Sequence, residues 1–179
     1  LNDIDNPRLL EDTGKISKRK QINLGLLRAE ILALLGDHMA SAQQRIFIAP
    51  LLDNQQQIGS QKAIWQSLMF VPSTELARYH SNSFSKEYRG WLELAMIAKD
   101  QQGDLDKQLA SLEAWRHQWD GHPANKRMPG GLELLKDIAA NRPEKIALLL
   151  PLTGKLSAIG KAVRDGLIAA YYETKNQGG

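Results

Sequence analysis

Residues 146–171 read IALLLPLTGKLSAIGKAVRDGLIAAY: an apolar run, a glycine-bounded loop and a helical pattern, in that order. Many phosphate and small-ligand sites begin this way. A P-loop needs glycine, four residues, then Gly-Lys and a Ser or Thr. Here five residues separate Gly154 from Gly160, and Ala162 follows Lys161. The extra residue spoils the backbone cradle, and alanine offers no hydroxyl to magnesium. The G-x-G-x-x-G fingerprint of dinucleotide sites is absent as well. Nucleotide chemistry is excluded on spacing.

Ser157 follows the same loop, but no G-x-S-x-G elbow surrounds it. No histidine occurs after His122, so a serine hydrolase centred there lacks its base. There are no cysteines, which removes disulfides, thiolate metal sites and cysteine nucleophiles. The histidines are His38, His80, His117 and His122; the last two are five apart, so a helix does not pair them as metal ligands at i,i+4. All four read as surface or capping residues. Asp104 and Asp106 lie in a turn beside a helix start, where capping is the expected role. No catalytic, metal-binding or cofactor-binding residue is therefore predicted, and the chain reads as non-enzymatic. Trp65, Trp91, Trp115 and Trp119 read mainly as core at helix crossings, with Trp119 the one expected to be partly exposed.

The 179 residues suit one domain, or one domain and part of another. Net charge is +3 and the signs alternate along the chain, so a nucleic-acid footprint is not indicated. The densest basic run, Lys15, Lys18, Arg19 and Lys20, reads as a solvated helix start. No apolar run is long enough for a membrane span. The chain opens on Leu1, which is no initiator methionine, and is expected to be cut from a longer protein.

The elements that would position any site are helices over residues 1–140. Leu24, Leu27, Ile31, Leu34 and Leu35 share helical spacing, then Gly36 stops the helix and Asp37 opens the next. Ala40, Ala42, Ile46 and Ile48 carry the pattern to Pro50. Ala63 to Leu68 form a short helix that ends near Pro72, with Ser73 as the next N-cap. Glu87 to Gln101 place Trp91, Leu94, Ala95 and Ala98 on one face. Gly103 and Asp104 turn the chain into Leu105, Leu109, Leu112 and Trp115. Leu132, Leu134, Leu135 and Ile138 give one more short helix before Asn141 and Pro143. Paired short helices joined by Gly-Asp turns suggest tetratricopeptide-like hairpins, with Ala29, Leu32, Gly36 and Ser41 near that spacing. An irregular helix bundle is the alternative.

After a linker at 141–143 the period changes. IALLLPL reads as a strand buried on both faces, and Ala158 to Tyr172 as a helix burying Ile159, Val163, Leu167 and Ala170. The fold class is therefore mainly α: a helical-repeat domain over 1–140, then one βα unit over 144–179. A lone strand cannot satisfy its backbone groups, so it is expected to lie on other elements or to pair with another copy.

KIALLLPLTGKLSAIGKAVRDGLIAAY (145–171) resembles the opening βα unit of type I periplasmic ligand-binding folds. With IWQSLMFVPSTEL (64–76), GWLELA (90–95) and AWRHQWDGHPANKRMPGGL (114–132), in this order, it resembles the LpoA family of outer-membrane lipoprotein activators. The resemblance covers most of 60–179. It implies a helical N-terminal domain, a C-terminal periplasmic-binding-protein-like domain of which only the start is here, and a lipid anchor outside these residues. It implies a location on the periplasmic side of the outer membrane. The partner implied is a class A penicillin-binding protein, a bifunctional peptidoglycan synthase, with peptidoglycan as a further partner; no cofactor is implied. An alternative is a periplasmic solute-binding protein, in which Thr153 and Ser157 would hydrogen-bond a ligand at the strand–helix loop. The same two residues could instead cap the helix.

Overall fold

The computed structural model describes residues 17–83, 85–101, 103–141 and 147–177. Lys15 of the basic run, linker residues 142 and 143, and Lys145 and Ile146 at the start of the expected strand lie outside them. The chain divides into two compact units, Leu1–Ala140 and Asn141–Gly179.

In the first unit the helices are α1 (Lys18–Leu34), α2 (His38–Ile48), α3 (Asn54–Phe70), α4 (Ser73–Asn82), α5 (Lys86–Asp100), α6 (Leu105–Gln118), α7 (Pro123–Lys126) and α8 (Leu135–Ala140). Short 3-10 turns precede α3 and α8 at Ala49–Leu51 and Leu132–Leu134. Neighbours in sequence pack on each other: α1 on α2, α2 on α3, α4 on α5, α5 on α6. Longer-range contacts of α3 with α5, and of α6 with α8, tie these pairs together.

Each start is chemically marked. Asp37 accepts from the Ala40 N–H at 3.0 Å, and Asp104 from Lys107 at 2.9 Å. Asp53 and Gln56 form a reciprocal capping box at 2.8 and 3.2 Å. That box starts α3 ten residues before the apolar pattern suggests, so the expected short helix is seventeen residues long. Ser73 is not an N-cap: Pro72 holds that position and Ser73 is the first helical residue. Gly36 has φ +83°, which ends α1 in the left-handed region open to glycine.

The buried face of α1 differs from the expected one. Ile22, Gly25 and Ala29 are buried, whereas Leu27, Leu34 and Leu35 are exposed. The cause is the close crossing with α2. Ser41 is fully buried and its hydroxyl donates to the Ala29 carbonyl at 2.7 Å. A side chain at Gly25 would meet Ile48 at 2.7 Å. Only small residues allow this approach, so the leucines are left on the outside.

The main core joins Ile64, Trp65, Leu68, Leu76, Trp91, Leu92, Leu94, Leu112 and Trp115. Polar side chains close the helix ends within it. The Lys99 ammonium donates to the carbonyls of Met69 and Val71 at 2.8 and 2.7 Å, completing the end of α3. Asn125 does the same for α6, donating to the carbonyls of Arg116 and Trp119.

In the second unit α9 spans Ser157–Gln177. Residues 147–152 form no strand, and no strand exists among the described residues. A strand is stabilised by its neighbour's backbone, and none is at hand to pair. The apolar run is also not buried: Leu149 is 96% exposed. Ile159, Val163 and Leu167, expected on a buried face, are exposed too. Gly160 is the buried point of this unit, because a side chain there would collide with the Pro151 carbonyl.

Candidate functional site

The glycine loop holds both residues singled out as ligand contacts. Thr153 is exposed and precedes Gly154, which has φ +77°. Ser157 is the half-buried first residue of α9, and its N–H donates to the Gly154 carbonyl at 3.2 Å. The structure thus brings Thr153 and Ser157 into one turn.

The four histidines are scattered. His122 is buried and caps α7: its Nδ1 accepts from the Ala124 N–H at 3.1 Å, and its Nε2 lies 2.9 Å from the Glu87 carbonyl, to which it donates. Its ring meets Trp91, Trp115 and Trp119 edge-on, at 5.2 to 6.3 Å between centroids. Gly90 makes this possible, because a side chain there would meet the imidazole at 2.7 Å. Burial pushes the His122 pKa down, opposed by the bond to Glu87. Trp115 donates to the Gly90 carbonyl at 2.9 Å, and Trp119, half-buried, to the Glu93 carboxylate at 2.7 Å. These partners leave the tryptophan–histidine cluster structural. Among the described residues no three metal-ligating side chains gather, and no helix is long and apolar enough to cross a membrane.

Surface chemistry concentrates elsewhere. A groove of about 790 Å³ runs between α1, α2 and α3, lined by Leu34, His38, Arg45, Trp65 and Phe70 among others. Leu34 is 82% and Phe70 72% exposed, and the His38 ring stacks on Phe70 at 4.6 Å. The Arg45 Nε is buried without a hydrogen-bond partner. Burial lowers the Arg45 pKa, and the charge of nearby Glu30 acts the other way. Large apolar rims around a poorly solvated cation suit a peptide segment that carries apolar residues and a carboxylate. A second hollow, about 610 Å³, is lined by Phe47, Tyr79 and Tyr88, with Phe47 79% exposed and the Arg78 guanidinium 4.6 Å from the Tyr79 ring centre.

Sequence reasoning missed Arg45, Phe47 and Phe70. One signal was available at Phe47. It stands between Ile46 and Ile48, and three consecutive residues of a helix cannot all point to one face. Nothing in the sequence marks Arg45, because its burial depends on three helices meeting.

The model of a lipoprotein family described as "LppC putative lipoprotein" matches residues 8–178. Relatives named penicillin-binding protein activator LpoA align over most of the chain. The one from Photobacterium profundum is 31% identical over 145 residues, 81% of this chain and 24% of that protein. That from Aliivibrio fischeri is 30% identical over 166 residues, 91% and 27%. That from Vibrio vulnificus is 27% identical over 151 residues, 84% and 25%. The chain therefore spans about a quarter of the length of these relatives. No solved structure is a significant match.

Proposed function

Because the chain belongs to the LppC lipoprotein family, in which the LpoA activators fall, we propose that it is part of a non-catalytic regulator of peptidoglycan synthesis. The whole protein is an outer-membrane lipoprotein on the periplasmic side that binds and activates a class A penicillin-binding protein. The helical unit is its protein-binding or spacer module, built of tetratricopeptide-like hairpins. The observation that carries this reading is the family match over nearly the whole chain. The groove around Arg45 supports it as a surface suited to protein. Activation then works by linkage: the activator binds the active state of the synthase more tightly and raises its population.

The test is co-purification of the 179-residue chain with a class A synthase, and separately with isolated sacculi. The synthase is expected to be retained, and Phe70→Asp with Arg45→Glu to weaken retention about tenfold. Unchanged retention by that variant removes the groove from the interface. Turnover of peptidoglycan precursors by the chain alone overturns the non-catalytic reading.

A solute-binding role is the second reading, and the exposed turn holding Thr153 and Ser157 favours it. A small ligand that raises the melting temperature of the whole protein, with the rise lost in Thr153→Ala and Ser157→Ala, would establish it. Equal rises in parent and variants would remove these residues from the site.

A further inference from the structure

A smaller cavity of about 170 Å³ opens within the first unit, away from the Arg45 groove. Three elements and one helix start meet there: the 3-10 turn Ala49–Leu51, α3, α5 and the beginning of α7. Its apolar walls come from Pro50, Ile64 and Pro123. Its polar groups are Ser60, Gln61 and Glu87, and their states set this cavity apart.

Ser60 is 3% exposed, and its hydroxyl has no hydrogen-bond partner. The Gln61 carbonyl oxygen is likewise buried and unpartnered. Buried polar atoms without partners are rare and cost about 1–3 kcal/mol each. Glu87 is half-buried, and among the described residues its carboxylate makes no ion pair or hydrogen bond. Desolvation raises its pKa, with no cation close enough to offset it. The backbone of Glu87 is fixed, because its carbonyl accepts from His122 at 2.9 Å and so ties the first turn of α5 to the start of α7. The wall is completed by fully buried Trp91, whose indole N–H also lacks a partner.

The hydrogen-bonding inventory selects the occupant. An anion is repelled by the carboxylate. A neutral amide brings only two donors and leaves the buried charge uncompensated. A primary ammonium has three donors and no acceptor, matching one carboxylate, one amide oxygen and one hydroxyl. The apolar walls suit methylene groups, and the volume is many times the ~15 Å³ that a single water needs. We propose that the cavity formed by Ser60, Gln61 and Glu87 is a binding site for an aliphatic primary ammonium, of the kind carried by a lysine side chain or a free alkylamine. The inference stands independently of the proposed activator role.

The test is a titration of the whole 179-residue chain followed by the indole N–H resonance of Trp91. Butylammonium chloride and N-acetyl-lysine methylamide are the two ligands; butanol and sodium chloride at matched ionic strength are the controls. A saturable shift with a midpoint of about 10 mM is expected for the ammonium compounds alone. Tighter binding of the lysine derivative assigns the site to a protein side chain, and tighter binding of butylammonium to a free amine. Glu87→Gln is expected to weaken binding about tenfold, with Gln61→Met as a second variant that keeps the carboxylate and weakens binding less. The proposal is overturned if neither ligand moves the resonance beyond the salt control, or if Glu87→Gln binds as the parent does. A shift produced equally by butanol also overturns it, since the cavity would then be taking any small polar molecule.

Discussion

The residue that organises the first unit is His122. Its two nitrogens serve two elements, accepting from Ala124 and donating to Glu87, while three tryptophans enclose the ring. Neutral imidazole satisfies both bonds; imidazolium loses the acceptor at Nδ1. Because burial depresses the folded pKa below 6.5, the native state takes up this proton less readily than the unfolded chain. The contribution of His122 to stability is thus complete above about pH 6.5 and is lost as pH falls through the folded value. Urea titrations of His122→Phe are expected to show two effects. Stability at about pH 8 falls by about 1–3 kcal/mol, because the Ala124 N–H and the Glu87 carbonyl lose a partner. The decline between about pH 7 and pH 5 becomes shallower. An unchanged acid slope would show that other groups carry it.

At the scale of elements, small residues decide how closely helices and loops approach. Ala29 and Ser41 set the α1–α2 crossing, and Gly90 admits the His122 ring to α5. Gly130 is the most constrained case. It has φ +64°, and a Cβ there would collide with the Trp65 indole nitrogen. Gly130→Ala meets both a left-handed backbone penalty and an overpacked contact, and is expected to cost about 2–4 kcal/mol. Gly131→Ala, with φ +76° but open space around it, is expected to cost only the backbone part, about 1–2 kcal/mol. Chemical denaturation of the pair separates the two terms; equal losses would mean the Trp65 contact relaxes without cost.

Across the whole molecule, the two units carry different probes. Trp65, Trp91, Trp115 and Trp119 all lie in Leu1–Ala140, whereas the second unit holds α9 with Tyr171 and Tyr172. The apolar side chains of α9 are exposed, and a 21-residue helix with no buried face is marginal in water. Thermal melting followed by tryptophan emission is therefore expected to be a single sharp transition. Melting followed by far-ultraviolet circular dichroism should add a broad loss at lower temperature. Superimposable curves from the two probes would show that the units unfold together.

What the sequence determined by itself was the mainly helical class, most helix starts and the family. These rest on local chemistry: Asp37, Asp53 and Asp104 cap their own first turns, and Gly36 takes a backbone angle that other residues resist. It also excluded a P-loop, because glycine spacing is a local property. The tertiary structure alone decided which face of α1 is buried, that Ser60, Gln61 and Glu87 share one cavity, and that the IALLLPL run forms no strand in the described residues. Each depends on what lies opposite in space. A leucine stripe is buried only if the neighbouring helix leaves room for it, a strand forms only beside another, and a carboxylate is stranded only by elements distant in the chain.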